Sequence, residues 1–244
     1  MSDRGDVPLE HGHSREEIRR RLGSGPDESY LRDWVYGGID GAVTTFAVAA
    51  GVAGASLSPR IVLILGFANL VADGFSMAVA NYSGTKAERE QYDRLIAVEH
   101  KHIAAIPDGE REEVRQIFAK KGFQGEDLER AVNTISADET RWVQTMVLEE
   151  YGLAPFARSP VKAALCTFGA FAVFGSIPML PYLAGGGLLA SVIATSVAFV
   201  VIGSLKSRWS VRPAWRSGLE TLVIGSVAAG LAYAAGNILA SLVS

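Results

Sequence analysis

Apolar residues are concentrated in two blocks of this 244-residue chain. Residues 34–83 and 158–244 are apolar, whereas residues 1–33 are polar and residues 84–157 are highly charged. A helix needs roughly 20 predominantly apolar residues to cross the hydrocarbon core of a bilayer. The pattern therefore predicts an all-α membrane protein, with two transmembrane helices in the first block, three in the second and a soluble helical insert between the blocks.

The predicted spans are the five longest apolar runs: residues 34–57, 61–83, 161–183, 186–205 and 218–242. Five crossings place the two ends of the chain on opposite sides of the membrane. Basic residues are frequent in the tail 1–33 and in the loop 206–216. The two loops on the other side contain a single basic residue, Arg60. Since cytosolic loops carry an excess of Lys and Arg, we expect the N-terminal tail and the insert in the cytosol.

The insert is predicted to form four helices: residues 85–105, as a direct continuation of the second span, then 108–120, 126–135 and 136–151. Pro107 ends the first of these helices, and Gly122 marks the turn after the second. Ser136 and Glu139 form a capping-box pattern, which predicts the start of the last helix.

Two aspartates, Asp40 and Asp73, lie within the first two predicted spans, which otherwise carry no charge. An ionisable side chain at membrane depth is costly, and such residues usually line a cavity, an ion path or a proton relay. The alternative is a structural role, in which each carboxylate bonds to a neighbouring helix. The presence of both aspartates favours a protein that moves a charged substrate across the membrane.

A polar stripe follows one face of the second span, with a side chain at every fourth position: Asn69, Asp73, Met77 and Asn81. The first span offers Asp40 and, one turn later, Thr44. If the two faces meet, they form a path of carboxylate, amide, hydroxyl and thioether groups. The thioether of Met77 favours a transition metal, because Ca²⁺ and Mg²⁺ prefer oxygen ligands. Burial favours a neutral carboxyl and a bound cation favours a charged one, so an aspartate here can exchange a proton for a metal.

Candidate metal ligands recur at helical spacing in the insert: Glu99 with His102, Glu110 with Glu113, and Met146 with Glu150. Residues three or four apart share a helix face, and antiparallel helices can bring such pairs together around a metal. A solvated acidic face with incidental spacing explains the same pattern. The spacing alone does not decide between the two interpretations.

Three segments resemble the vacuolar iron transporter family: residues 40–51 (DGAVTTFAVAAG), 72–77 (ADGFSM) and 110–123 (EREEVRQIFAKKGF). The resemblance covers about residues 30–244. It implies a homodimeric, proton-coupled antiporter that moves Fe²⁺, and often Mn²⁺, out of the cytosol. The family's functional residues match Asp40 and Met77 in the membrane and, in the insert, Glu99, Glu110, Glu113, Met146 and Glu150.

The chain departs from the family pattern at two positions of the insert. His102 stands where we expect a glutamate, and Val147 where we expect a second methionine. Imidazole binds Fe²⁺ but also suits Zn²⁺ and Co²⁺, so the metal selectivity of the insert is open. Asp33, just before the first predicted span, is either an entrance for cations or a plain interfacial charge.

Two other functions fit part of the pattern. One is a membrane-anchored, ferroxidase-like di-iron enzyme, although such a centre usually uses two E-x-x-H units and this insert has one. The other is a membrane-tethered metal buffer, which would need no carboxylate at membrane depth. We therefore expect a transporter rather than an enzyme.

The sequence also bears on partners and location. It contains no P-loop pattern, so pumping driven by ATP is not expected. The insert holds 15 of the 26 acidic residues, so nucleic acid is not an expected partner. The expected partners are divalent metal ions, protons, the lipid bilayer and a second copy of the chain. The abundance of Ala, Arg and Gly and the compact loops favour a bacterial inner membrane over a vacuolar membrane.

Overall fold

The computed structural model describes residues 12–24, 28–155, 158–207 and 213–243, which form helices and loops without strands. The helices are α1 (Arg15–Ser24), α2 (Leu31–Gly54), α3 (Pro59–Ala105), α4 (Pro107–Lys120), α5 (Gly125–Ser136), α6 (Glu139–Glu149), α7 (Pro160–Ser176), α8 (Leu180–Leu183), α9 (Leu188–Lys206) and α10 (Ala214–Val243). A 3₁₀ turn over Ile177–Met179 joins α7 to α8. Residues 208–212, part of the basic loop that predicts the orientation of the spans, lie outside the described residues.

The five predicted spans are confirmed. Helices α2, α3, α9 and α10, and α7 with its continuation through α8, are long and apolar enough to cross a membrane. The bounds differ most at two helix starts: α10 begins at Ala214 rather than at residue 218, and α2 begins at Leu31 rather than at Trp34. Asp33 therefore lies in the first turn of α2. An acidic side chain in the first turn interacts favourably with the helix dipole, which explains why the helix includes this charge.

Helix α3 joins the membrane part of the molecule to the insert. Its 47 residues make a helix about 70 Å long, more than twice the hydrocarbon thickness of about 30 Å. The helix begins after Ser58, whose hydroxyl accepts a hydrogen bond from the backbone N–H of Arg60. It ends at Ala105, because Ile106 precedes Pro107 and is therefore biased away from helical backbone angles. The second span thus continues into the insert, as predicted.

Helix α2 is at the centre of the bundle and packs against α3, α7, α9 and α10. Glycines permit the closest approaches. A Cβ atom at Gly41 would lie 2.4 Å from the carbonyl oxygen of Phe171 on α7, and one at Gly236 would lie 2.2 Å from that of Gly51. These contacts fix α2 against its neighbours, so the polar side chains it carries are held in defined positions.

The insert has its own apolar core, formed where α4, α5 and α6 pack with the end of α3 around Val114, Val132, Trp142 and Met146. The last helix begins later than predicted, because α5 extends to Ser136. Asp138 takes over the capping role, and its carboxylate accepts a hydrogen bond from the backbone N–H of Arg141 at 3.1 Å. The helix also ends at Glu149 rather than at Tyr151.

Candidate functional site

Polar side chains of α2 and α3 contact each other within the bundle. The amide nitrogen of Asn69 donates hydrogen bonds to the hydroxyls of Thr44 at 3.1 Å and Thr45 at 3.4 Å. The Thr44 hydroxyl in turn donates to the backbone carbonyl oxygen of Asp40 at 2.8 Å. The structure therefore brings the two polar faces together at Asn69 and Thr44.

Asp40 and Asp73 lie one turn nearer to the insert. They are close enough for their charges to interact. Asp40 is partly buried, whereas Asp73 is exposed on the surface of the chain. The neighbouring exposed side chains of α3, Val71 and Phe75, are apolar and more than half exposed. The two aspartates thus lie at an edge of the bundle rather than in its centre.

Nearer still to the insert, α2 and α3 border a cavity of about 260 Å³. Its lining includes Asp33, Tyr36, Met77 and Asn81. The amide nitrogen of Asn81 lies 3.0 Å from Asp33 Oδ1 and 2.7 Å from the hydroxyl oxygen of Thr167. Met77 is partly buried at this cavity. The cavity joins the predicted entrance aspartate to the predicted thioether ligand.

These side chains follow one another along the facing sides of α2 and α3, and we call them the transmembrane line: Asp33, Asp40, Thr44, Asn69, Asp73, Met77 and Asn81. Because α2 and α3 are antiparallel, the facing residues follow one another at about one pair per helical turn of 5.4 Å. The line extends for about 16–18 Å along the helices, which is about half of a bilayer core.

Asp33 has a partner that no pattern in the sequence indicated. Nη2 of Arg158 forms an ion pair with Asp33 Oδ2, and the guanidinium lies 5.6 Å from the centre of the Tyr30 ring. Asp33 is only 2% exposed, so its carboxylate is buried within the chain beside this guanidinium. The two residues are 125 positions apart, and no local spacing could have connected them.

The second group of predicted site residues lies in the insert. Glu99 is fully buried and Glu110 is 5% exposed. One carboxylate oxygen of each, Oε2, is buried without a hydrogen-bond partner among the described residues. His102 Nδ1 lies 3.5 Å from Glu110 Oε1, and the Tyr151 hydroxyl donates to Glu99 Oε1 at 3.2 Å. Tyr151 was not predicted, although its position directly after Glu150 placed it near this group.

The charges of the insert residues act on one another. Burial, and after it the negative charges of Glu113, Glu99 and Glu150, raise the pKa of Glu110 to about 7. Burial and the charge of Glu150 also raise the pKa of Glu113. We call Glu99, His102, Glu110, Glu113 and Glu150 the acidic cluster. Its carboxylates repel one another, and a cation placed among them would relieve that repulsion.

Met146 occupies a different place from the other predicted ligands. Its side chain is fully buried and packs in the apolar core of the insert. Within the described ranges, no three His, Cys, Asp or Glu side chains are arranged to hold a metal ion together. The structure therefore brings the predicted carboxylates and His102 into electrostatic contact as an open cluster, without closing them around one centre.

The architecture defines a multi-pass membrane protein. It has five apolar helices, a line of polar groups along two of these helices and an acidic helical insert.

A sequence model of the VIT family matches residues 31–237. Vacuolar iron transporter 1 from Arabidopsis thaliana is 33% identical over 208 residues, which cover 83% of this chain and 83% of that protein. Vacuolar iron transporter 1 from Oryza sativa subsp. japonica is 30% identical over 243 residues, 95% of each chain. The vacuolar iron transporter from Toxoplasma gondii is 30% identical over 224 residues, 86% of this chain and 74% of its own length. The chain belongs to the VIT family, which confirms the resemblance found in the sequence.

Proposed function

We propose that this protein is a proton-coupled antiporter that exports Fe²⁺ from the cytosol, with Mn²⁺ as a further substrate. The observation that carries the proposal is the transmembrane line, which places carboxylate, thioether and amide groups at successive turns of α2 and α3. The thioether of Met77 supports a transition metal as substrate over Ca²⁺ or Mg²⁺. The relatives from Arabidopsis thaliana and Toxoplasma gondii are named vacuolar iron transporters, which supports iron.

The insert is proposed to lie in the cytosol and to collect metal for the line. The excess of basic residues in the N-terminal tail and in the loop 206–216 supports this orientation. Helix α3 connects Glu99 to Asn81 by 18 residues, or about 27 Å of continuous helix. The unpaired carboxylate oxygens of the acidic cluster suit Fe²⁺ or Mn²⁺, and the imidazole of His102 also admits Zn²⁺ and Co²⁺.

Proton exchange at the intramembrane aspartates is the proposed coupling step. A cation bound beside Asp40 and Asp73 favours their ionised forms, because it supplies the opposite charge. When the cation leaves, the partial burial of Asp40 and repulsion from the charge of Asp73 favour the return of a proton to Asp40. The same side chains thereby carry metal in one direction and protons in the other.

A second copy of the chain is proposed to cover the exposed side of the line. In a single chain Asp73 is exposed on α3 beside Phe75, which is 65% exposed, on a surface that would face lipid. A charge in that position costs about 2.5–3.5 kcal/mol on insertion scales. A homodimer joined along this face of α3 would bury Asp73 and enclose the line.

Metal uptake into proteoliposomes with an imposed pH gradient tests the proposed function, with Fe²⁺, Mn²⁺, Zn²⁺ and Co²⁺ compared side by side. We expect Fe²⁺ uptake that depends on the gradient, with protons moving in the opposite direction. Metal uptake without any movement of protons in the opposite direction would contradict proton coupling. Metal binding without uptake would favour a metal buffer, and oxygen consumption on addition of Fe²⁺ would favour a ferroxidase-like enzyme. The membrane is proposed to be a bacterial inner membrane, or the vacuolar membrane in a eukaryotic cell.

A further inference from the structure

Arg158 holds the carboxylate that stands at the insert end of the transmembrane line. Asp33 uses its two oxygens on two different partners. Oδ1 accepts a hydrogen bond from the amide of Asn81, which lines the cavity containing Met77, and Oδ2 pairs with Nη2 of Arg158. With Asp33 only 2% exposed, a cation that passes along the line encounters this carboxylate already paired with a positive charge.

The ion pair with Asp33 does not use every N–H donor of the Arg158 guanidinium. Arginine binds carboxylates most strongly through two parallel hydrogen bonds, and it has five N–H donors. Here Asn81 takes the other oxygen of Asp33, and Nε of Arg158 is buried without a hydrogen-bond partner among the described residues. The guanidinium also lies over the ring of Tyr30, which attracts it through a cation–π interaction. The contact with Tyr30 exists beside the pair with Asp33 and does not depend on it, so it remains available to the guanidinium when another cation binds Asp33.

We propose that Arg158 is a tethered cation that competes with the transported metal for Asp33, and that this competition admits divalent cations while excluding monovalent ones. The inference rests on the proposed function, since it concerns the entrance of the same path. A divalent cation brings twice the charge of the guanidinium and can displace it from a carboxylate. Na⁺ or K⁺ brings no more charge than Arg158 and must compete with a group that is held beside Asp33 by the chain itself.

The competition has a measurable consequence for affinity. The apparent affinity for metal is proportional to the fraction of time that Asp33 is free of Arg158, so a small free fraction gives a weak apparent affinity. If that fraction is about one tenth, replacing Arg158 with a neutral residue lowers the apparent KM for metal about tenfold. A purely structural ion pair predicts something different, because its loss would reduce the amount of folded protein and the maximal rate without improving KM.

The experiment is Fe²⁺ uptake into proteoliposomes under anaerobic conditions, with KM and maximal rate measured for the wild type and Arg158→Gln. K⁺ is exchanged for N-methylglucamine at constant ionic strength. The wild type is expected to be insensitive to K⁺. In Arg158→Gln the KM is expected to fall about tenfold in N-methylglucamine and to rise again as K⁺ is added. Arg158→Lys, which keeps the charge, is expected to retain the wild-type KM.

Two further variants serve as a matched control and as a substitute for Arg158→Gln. Lys162→Gln is the matched control, because Lys162 lies near Arg158 in sequence and forms a more exposed ion pair with Glu28 at 3.8 Å. It is expected to change neither KM nor K⁺ sensitivity. If Arg158→Gln does not fold, Arg158→Met replaces the cation–π interaction with apolar packing on the Tyr30 ring and is expected to give the same lower KM.

The outcomes separate the inference from the proposed function. A neutral variant that transports Fe²⁺ with an unchanged or higher KM, or without inhibition by K⁺, would overturn the role of Arg158 alone. A wild type that takes up no metal would overturn the proposed function and this inference with it.

Discussion

In the transmembrane line most polar side chains have a neutral or basic partner, whereas in the acidic cluster the carboxylates have mainly one another. Asn69 contacts Thr44, and Asp33 is paired with Arg158. By contrast, Glu99 and Glu110 are buried with one oxygen each unpaired among the described residues. A site that accumulates cations benefits from concentrated negative charge, while a conducting path needs binding weak enough for the ion to leave. This difference between the two regions supports the proposal that the insert stores metal ions and that the helix bundle conducts them.

The largest effect is expected from Asp40→Asn, which removes a charge from the line and leaves the acidic cluster intact. The passing cation then loses a counter-charge worth about 3 kcal/mol, or about 100-fold in uptake rate. Initial Fe²⁺ uptake into proteoliposomes checks the result. Asp93→Asn is the control, because Asp93 is exposed on the charged part of α3 and forms a long ion pair of 3.9 Å with Arg89. Uptake by Asp40→Asn at the rate of this control would refute the role of the line.

A smaller effect, of a different kind, is expected from Glu110→Gln in the acidic cluster. The loss of this buried carboxylate should raise the KM for Fe²⁺ about tenfold and leave the maximal rate unchanged, since a contact with such a group contributes about 1.5 kcal/mol at the lower end of its range. Glu112→Gln is the control, because Glu112 lies two residues away, is exposed and bonds to Arg115 at 2.5 Å. An equal change in KM for both variants would show that general surface charge, not the cluster, attracts the metal.

The pH dependence of stability distinguishes the two regions without any metal. Folding raises the pKa of Glu110 from its ordinary value of about 4.5 to about 7, so the folded insert holds more protons than the unfolded chain between these values. The contribution of Glu110 to the stability of the insert should therefore be fully present below pH 4.5 and be lost as the pH rises through 7, by about 3 kcal/mol at most.

Hydrogen exchange of the backbone amides of α4, in chelator and corrected for the intrinsic exchange rate, measures this dependence. Glu110→Gln should flatten it between pH 5 and pH 8. Protection that increases with pH over this range in the wild type would mean that Glu110 is ionised more easily in the folded insert, which would contradict the repulsion among the carboxylates of the acidic cluster.

The smallest effect is expected from Asn69→Ala at the far end of the line. Hydrogen bonds between membrane helices average about 0.6 kcal/mol, so loss of the contact with Thr44 should reduce uptake less than about threefold. The matched control is Ser196→Ala on α9, whose hydroxyl bonds within its own helix, to the carbonyl oxygen of Val192 at 2.7 Å. A complete loss of uptake in Asn69→Ala alone would place the critical ligand at Asn69 rather than at Asp40.

The helices could be predicted from the sequence because their signals are local. Apolar runs predict the five spans, and the second span leads directly into the charged helix predicted over residues 85–105. The predicted start of α2 is three residues too late, because the apolar run begins only after Asp33. In the fold this carboxylate is buried and paired with Arg158, which removes the reason to exclude it from the helix.

The site could be predicted only in part. Spacing at i+3 and i+4 placed Glu99 near His102 and Glu110 near Glu113, but it could not show that Glu99 is buried while Glu113 is exposed. That difference depends on how α3, α4 and α6 pack. Contacts between distant segments, such as Tyr151 with Glu99, leave no periodic signal in a single sequence.

The most direct test of the division between storage and passage measures equilibrium Fe²⁺ binding and initial Fe²⁺ uptake on the same preparations of Asp40→Asn and Glu110→Gln. We expect a crossed result. Asp40→Asn should bind Fe²⁺ like the wild type and transport almost none, whereas Glu110→Gln should bind more weakly and reach the wild-type maximal rate. If binding and uptake fall in the same proportion in both variants, the two regions form one site and the division between storage and passage is contradicted.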